Sequence, residues 1–241
     1  MKYMGSKSRF TKAILPIILQ DRTPEQWYVE PFAGGMNVIC EVTGNRIAND
    51  IHYQLIEMWR KLMKGWVPKK YTHGEYKQIR ENKDNYPPYE VGWVGFNCSY
   101  SGKWFAGYAG ETKTKIGTVR DYQAEAIRNV LRQVPKMGGV VFENKPYYEL
   151  EIPANSIVYC DPPYANTSRY KVDDFDHGRF WDWVRSISKQ GHIVFVSEYN
   201  APDDFECVWE KKAKSSLSAN GKSGGNKTSV EKLFKLVKNN V

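Results

Sequence analysis

Cysteine and histidine are scarce in this sequence, which has four of each among 241 residues. The cysteines are far apart and form no Cys-x-x-Cys pair; they are Cys40, Cys98, Cys160 and Cys207. The sequence therefore supports neither a disulfide framework nor a structural zinc site, and it suits a reducing cytoplasm. Because the histidines are scattered too, we expect no bound metal.

Long apolar runs are also absent, so we expect no membrane-spanning segment. The first residues, Met-Lys-Tyr-Met-Gly, lack the apolar core of a secretory signal. With 241 residues and a hydrophobic content of 41%, the chain can bury one core and still carry a small insertion. These features predict a cytoplasmic protein.

Acidic residues are outnumbered in this chain. The 27 Asp and Glu residues stand against 35 Lys and Arg residues, which gives a net charge of +8 and a pI near 9.1. Such a balance favours a polyanionic partner such as nucleic acid. The aromatic content of 14% would supply stacking surfaces for the same partner.

A strand, a glycine-rich turn and a helix are predicted early in the chain. Residues 27–30 form a short apolar strand that ends at Glu30, Gly34 and Gly35 follow, and residues 36–42 have a helical pattern. This order is typical of the first unit of a Rossmann-type sheet, where glycines admit a ligand to the backbone and to a helix N-terminus. The glycine spacing is not Gly-x-Gly-x-x-Gly, and Glu30 would repel a pyrophosphate, so a dinucleotide cofactor is disfavoured. The Glu30 carboxylate would instead suit a cationic group of a cofactor, such as the amine of an amino acid moiety.

A second short strand, residues 46–50, ends in Asp50. In nucleotide-binding α/β folds, an acid at the end of the second strand hydrogen-bonds ribose hydroxyls. This acid lies roughly twenty residues after the glycine-rich turn, as Asp50 does. Asp50 could also be the N-cap of the next predicted helix, residues 51–63. The two roles are compatible, and we predict a nucleoside-cofactor pocket.

The N-terminal segment, residues 2–9, is basic and contains Gly5 and Lys7. It precedes a predicted helix, residues 10–19, that Pro16 should kink or shorten. Taken alone, the segment is best interpreted as an ordinary exposed start. The alternative is that Lys7 and nearby backbone amides bind an anionic group of a ligand.

Residues 65–118 break the alternating pattern and are rich in proline, glycine, tyrosine and lysine. We interpret them as a basic, aromatic insertion that contacts nucleic acid; the alternative is a small helical cap with core aromatics. Trp66 and Trp93 are the expected core residues. The lysines expected to contact nucleic acid here are Lys103, Lys113 and Lys115.

The remainder of the chain returns to alternating elements. Helical patterns cover residues 122–134 and 180–187, and strand patterns cover residues 140–143, 157–160, 192–197, 207–210 and 232–237. The last two strands are predicted antiparallel partners. Residues 211–228 between them contain no acid, which predicts a mobile basic loop with Lys214, Lys222 and Lys227 near phosphates.

We therefore predict an α/β fold with a Rossmann-like, mostly parallel sheet and a C-terminal antiparallel hairpin. Residues 1–64 and 119–241 would form one domain, and residues 65–118 a mainly helical insertion.

The strand at residues 157–160 ends in the sequence Asp161-Pro162-Pro163-Tyr164. The two prolines end the strand and stiffen the turn, because their rings fix φ and neither donates a backbone hydrogen bond. An acid and an aromatic ring thus lie at the C-terminal end of a strand, where open α/β sheets bind ligands. An ordinary strand exit with an Asp turn is the alternative.

Four motifs in this order resemble the DNA adenine methyltransferase (Dam-like) family. They are Lys-Tyr-Met-Gly-Ser-Lys, Glu-Pro-Phe-Ala-Gly-Gly, Asn-Asp-Ile and Asp-Pro-Pro-Tyr. The resemblance implies a class I, S-adenosylmethionine-dependent fold with the cofactor motif first, the target-recognition insertion next and the catalytic motif last. Tyr3 stands where the family often has Trp, and residues 95–108 match the family only loosely, so no target sequence is implied.

The resemblance also implies roles for individual residues. The cofactor-binding residues would be Tyr3, Lys7, Glu30, Phe32, Gly34, Gly35, Asp50 and Asp161, and the catalytic residues Asp161, Pro162, Pro163 and Tyr164. The substrate would be double-stranded DNA, and the enzyme a monomer that modifies one base at a time. The alternatives are an RNA adenine methyltransferase, a protein-glutamine methyltransferase, or a non-catalytic DNA-binding protein on the same scaffold.

Overall fold

A computed structural model describes residues 1–113, 117–164, 175–214 and 228–237. The helices and strands, in chain order, are α1 (Thr11–Ile18), β1 (Tyr28–Glu30), β2 (Arg46–Asn49), α2 (Tyr53–Met63), α3 (His73–Glu81), α4 (Pro88–Asn97), β3 (Glu111–Lys113), β4 (Val119–Asp121), α5 (Tyr122–Gln133), β5 (Val140–Glu143), β6 (Ile157–Cys160), α6 (His177–Lys189), β7 (Ile193–Glu198), β8 (Phe205–Lys214) and β9 (Thr228–Leu236). Among the described residues, no helix combines the length and apolar character needed to cross a membrane.

The chain divides into two units. The first unit comprises residues 1–12 and 31–151, and the second comprises residues 13–30 and 152–241. Helix α1 is shorter than predicted and contains Pro16, which removes a backbone donor from its last turn.

In the first unit, β2 and β5 pair in parallel, from Arg46 opposite Val140 to Asn49 opposite Glu143. Helix α5 begins at an N-cap, Asp121, whose side chain accepts a hydrogen bond from the Ala124 N–H at 2.9 Å. The antiparallel β3–β4 hairpin was not predicted, because its short strands are largely exposed and lack an apolar face.

The core of the first unit contains Trp93, as predicted, and Trp59, both fully buried. Trp66 is only partly buried and meets Trp93 edge-on, with ring centroids 6.2 Å apart, so its core assignment is wrong in part. Helices α2 and α4 come close at Gly92, where an added Cβ would lie 2.1 Å from the Gln54 carbonyl oxygen.

In the second unit, the strand order is β1-β6-β7-β9-β8, with β1, β6 and β7 parallel and β9 and β8 antiparallel. Strand β6 has the predicted bounds, and all four of its residues are buried. Helix α6 buries Phe180, Trp181, Val184 and Ile187, a helical spacing that places them on one face.

The predicted loop between the last two strands is wrong at both ends. Residues 211–214 belong to β8, with Lys211 opposite Glu231 and Lys214 opposite Thr228. Their polar composition suggested a loop, but an antiparallel ladder needs only backbone donors and acceptors. Residues 215–227, which include Lys222 and Lys227, lie outside the described residues. Parallel strands, flanking helices and the antiparallel hairpin confirm the predicted Rossmann-like α/β class.

Candidate active site

The Gly-Gly turn of the first unit follows a left-handed backbone at two positions. Gly34 has φ +48° and Met36 has φ +57°. The predicted helix at residues 36–42 is wrong: only one 3-10 turn, Ile39–Glu41, is present. A left-handed residue cannot start an α-helix, and the apolar spacing there reflects burial, because Met36 and Ile39 are both fully buried.

Tyr3 packs directly on this turn. A Cβ added to Gly34 would lie 2.7 Å from Tyr3 Cε1, and one added to Gly35 would lie 2.6 Å from Tyr3 Cβ. Distances this short exclude any side chain at either position while Tyr3 stays in place. The glycines are therefore needed for packing within the protein, a reason that the sequence did not reveal.

Asp50 is buried after β2 and accepts two backbone hydrogen bonds. Its Oδ2 accepts from the Gly34 N–H and its Oδ1 from the His52 N–H, both at 2.9 Å. Burial raises the pKa of Asp50, and these two hydrogen bonds oppose that shift. The N-cap of α2 is His52, so the N-cap role is wrong for Asp50. The carboxylate instead ties the glycine turn to the end of β2.

Two asparagines that sequence reasoning missed complete this arrangement. Asn49 donates from Nδ2 to the carbonyl oxygens of Pro31 and Lys145, each at 2.9 Å. Asn144 donates to the Asp50 carbonyl oxygen at 2.7 Å. Asn49 belongs to the Asn-Asp-Ile motif, but sequence reasoning assigned this side chain no role of its own.

Lys7 is buried, contrary to the exposed start that the segment alone suggested. It is 7% exposed and begins a 3-10 turn, Lys7–Arg9, whose N-cap is Ser6. Ser6 Oγ accepts from Asn37 Nδ2 at 2.9 Å, which connects this turn to the residue after Met36. Lys7 therefore belongs to the folded part of the N-terminal segment, and its ammonium group keeps the charge that would suit an anionic ligand group.

Phe32 is half-buried, and its ring lies 5.2 Å from that of Tyr147, centroid to centroid. The first unit thus holds six of the predicted cofactor-binding residues; they are Tyr3, Lys7, Phe32, Gly34, Gly35 and Asp50.

Glu30 closes β1 in the second unit and is 3% exposed. Its Oε1 accepts a hydrogen bond from the Tyr28 hydroxyl at 2.8 Å. Burial raises the pKa of Glu30 to about 8; the Tyr28 hydrogen bond opposes this, and the negative charge of Asp161 adds to it. Glu30 and Asp161 are therefore electrostatically coupled in the second unit.

Asp161 and Pro163 are half-buried and Pro162 is buried after β6. Tyr164 donates its hydroxyl hydrogen to Glu231 Oε2 at 3.0 Å, and its ring meets that of Tyr199 edge-on at 4.7 Å. Desolvation, with the charge of Asp161 next, raises the pKa of Tyr164 well above its ordinary value. The hydroxyl is therefore a hydrogen-bond donor at neutral pH.

Cys160, which precedes the motif, is fully buried, and burial raises the pKa of its thiol well above the ordinary value. A nucleophilic cysteine must form a thiolate, so this thiol is inert at neutral pH.

The lysines predicted to contact nucleic acid differ in their surroundings. Lys113 is exposed at the end of β3, Lys103 is half-buried, and Lys214 ends β8. Lys115 lies outside the described residues. Other basic residues of residues 65–118 form ion pairs, as Lys69 does with Glu75 and Lys70 with Asp121. Within the described ranges, no group of three His, Cys, Asp or Glu side chains is arranged to hold a metal ion.

A family model for the D12 class of N6 adenine-specific DNA methyltransferases matches residues 3–203 of this chain. The chain belongs to this family. The matched range includes the glycine turn, Asp50 and the Asp-Pro-Pro-Tyr motif of this D12-class member, and it confirms the resemblance drawn from the motifs.

Two solved structures are also similar to this D12-class chain. One is SMU.472, assigned as a methyltransferase and complexed with SAH: identity is 12%, the TM-score is 0.39, and the match covers 100% of this chain and 55% of that one. The other is the tRNA (m1A58) methyltransferase TrmI from Aquifex aeolicus, at 10% identity and a TM-score of 0.39, covering 95% of this chain and 69% of that one. The chain thus spans about half the length of SMU.472.

Proposed function

We propose that this protein transfers a methyl group from S-adenosylmethionine to the 6-amino group of adenine in double-stranded DNA. The observation that carries the proposal is the Asp161-Pro162 pair at the end of buried strand β6, in a chain that belongs to the D12 class. The strand end fixes a carboxylate and a rigid carbonyl in one turn, which suits an amine substrate with two hydrogens to donate.

The side chains present fit the proposed cofactor chemically. Buried Lys7 matches a carboxylate, and buried Glu30 matches an ammonium group. Asp50 uses one lone pair of each oxygen for a backbone N–H and keeps capacity for ribose hydroxyls. When bound, S-adenosylmethionine supplies an electrophilic methyl group on a sulfonium.

Asp161 and the Pro162 carbonyl would each accept one hydrogen bond from the adenine amine. The nitrogen lone pair of adenine is delocalised into the ring, so the free amine is a poor nucleophile. Two acceptors would draw its hydrogens out of the ring plane and stabilise the positive charge that develops as the carbon–nitrogen bond forms and the carbon–sulfur bond of the donor breaks. The methylated amine would then release one of its two hydrogens as a proton, which restores its neutrality. Such preorganised groups are worth roughly 3 kcal/mol each. Tyr164 would stack on the base.

DNA binding would depend on the insertion, residues 65–118, and on basic residues outside it. Exposed Lys113 and half-buried Lys103 are the described candidates in the insertion. The adenine would leave the duplex to reach Asp161, which costs about a few kcal/mol. Phosphate contacts that compensate this cost would make binding weaken steeply with salt.

The proposal is tested by incubating the protein with tritiated cofactor and matched DNA or RNA duplexes, then digesting the product to nucleosides. We expect labelled N6-methyldeoxyadenosine from DNA and far less label from RNA. Label confined to RNA would overturn the DNA assignment, and label in neither would overturn the activity. Methylation-sensitive sequencing of DNA from expressing cells would then give the sequence context.

A Glu30→Gln variant should remove the pH dependence of cofactor binding. Since the pKa of Glu30 is about 8, its carboxyl is mostly neutral at pH 6 and must lose a proton to bind an ammonium group. Wild-type affinity should therefore rise by up to about tenfold per pH unit from pH 6 and level off above pH 8. Titration calorimetry in buffers of different ionisation enthalpy measures both the affinity and the released proton.

The matched control is Glu206→Gln, which changes an exposed carboxylate of β8 in the same unit. It should keep the wild-type pH profile. If Glu30→Gln also keeps it, Glu30 does not contact the cofactor amine.

A further inference from the structure

We infer that Glu231 is a positioning residue for the reaction, because it fixes the orientation of the Tyr164 ring. This inference rests on the proposed function, in which Tyr164 stacks on the target adenine. Glu231 lies 67 residues after Tyr164 in the sequence, on β9, and belongs to none of the motifs that identified the family.

Among the described residues, two contacts of different kinds help to hold the Tyr164 side chain. The hydroxyl donates to Glu231 Oε2 at 3.0 Å, and the ring meets Tyr199 at 4.7 Å with an interplanar angle of 84°. An edge-on ring contact limits where the ring lies, and a hydrogen bond at the far tip limits where its axis points. Together they restrict both side-chain torsions of Tyr164.

The strand register places Glu231 on the same face of the sheet as Tyr159 and Ser197. On β7, Phe195 lies opposite Tyr159 of β6, and Ser197 follows Phe195 by two residues. Ser197 in turn lies opposite Leu233 of β9, which follows Glu231 by two residues. Since every second residue of a strand points to the same face, Tyr159, Ser197 and Glu231 share one face. Tyr159 and Ser197 hydrogen-bond through their hydroxyls at 2.8 Å. This face therefore carries polar groups from β6 to β9.

Fixing the ring before substrate arrives reduces the ordering cost at the moment of stacking. A free tyrosine side chain would lose rotational entropy when a base stacks on it, and that loss would weaken the productive complex. With the ring held by Glu231, the base meets a surface already in place. The effect should appear in the methyl-transfer step and in stacking of the target base, and cofactor binding should be unaffected.

The test is a double-mutant cycle with Glu231→Ala and Tyr164→Phe, measured as the single-turnover rate of methyl transfer. Glu231→Ala should slow transfer about tenfold, the size expected for a hydrogen bond to a charged group. Tyr164→Phe keeps the ring and loses the same bond, so it should slow transfer equally. The double variant should be no slower than either single variant, and Glu231→Gln, which keeps an acceptor, should be within about twofold of wild type.

Two further readouts separate positioning from a general structural defect. With 2-aminopurine at the target position, Glu231→Ala should reduce the fluorescence change that reports base stacking, while its cofactor affinity and melting temperature stay near wild type. The control Glu206→Ala removes an exposed carboxylate of β8 and should behave as wild type.

Additive losses in the cycle, or a Gln variant as slow as the Ala variant, would overturn the inference. If wild-type protein methylates no DNA, the proposed function fails instead. The pair can then still be tested by ¹⁹F NMR of 3-fluorotyrosine-labelled protein, with the Tyr164 signal assigned by Tyr164→Phe. An unchanged Tyr164 signal in Glu231→Ala would contradict the positioning role, and a shifted, broadened signal would support it.

Discussion

Replacing Asp161 with alanine should reduce the single-turnover rate of methyl transfer about a hundred- to a thousandfold, with the fold intact. The change removes one of two acceptors proposed for the adenine amine, and loss of a single preorganised group of this kind typically costs that much. Asp161 is half-buried in a turn after β6, so its removal leaves the strand and its buried residues in place.

The same substitution should leave a second signature in cofactor binding. The negative charge of Asp161 contributes to the raised pKa of Glu30, so this pKa should fall in Asp161→Ala. The rise of cofactor affinity with pH would then level off at a lower pH than in wild type. Titration calorimetry over the pH range measures this shift without relying on catalysis.

The control for Asp161 is Asp203→Ala, which removes an exposed carboxylate of the same unit. It should transfer methyl groups at the wild-type rate. Near-normal transfer by a folded Asp161→Ala variant would contradict the catalytic assignment of the motif.

Replacing Asp50 with alanine should raise the cofactor dissociation constant about a hundredfold and also destabilise the protein. The Gly34 and His52 amides would lose their acceptor, and each unsatisfied buried donor costs about 1–3 kcal/mol. Loss of the proposed ribose contacts accounts for the weaker binding, since hydrogen bonds to a charged group contribute about 1.5–3 kcal/mol each.

Two measurements separate the two effects of the Asp50→Ala substitution. Chemical denaturation gives the change in stability, and calorimetric titration gives the change in the cofactor dissociation constant. The control, Asp84→Ala, removes an exposed acid of the same unit and should change neither quantity. If Asp50→Ala lowers stability but binds the cofactor as wild type does, Asp50 only organises the glycine turn.

The sequence predicted best where local chemistry decides the structure. Strand β6 was placed with its observed bounds, because a β-branched, apolar run is cut off by two prolines. Residues 36–42 were misassigned because periodic apolar residues can be buried without forming a helix, and the left-handed backbone at Met36 is invisible to a periodicity argument.

Contacts between residues that are far apart in the chain could not be predicted from the sequence. Tyr3 packs on Gly34 and Gly35, and Tyr164 bonds to Glu231, yet no local pattern links the members of either pair. The sequence identified residues that could do the chemistry, while the residues that hold them in place emerged only from the fold.

The close approach of α2 and α4 has a consequence for engineering target specificity. At Gly92 the two helices meet with no room for even one methyl group, since an added Cβ would lie 2.1 Å from the Gln54 carbonyl oxygen. Helix α4 belongs to residues 65–118, the proposed target-recognition insertion, whereas α2 precedes it. A graft that exchanged residues 65–118 alone would pair α2 of this protein with a foreign α4 whose surface does not match it. A chimera should therefore take both helices from the same donor.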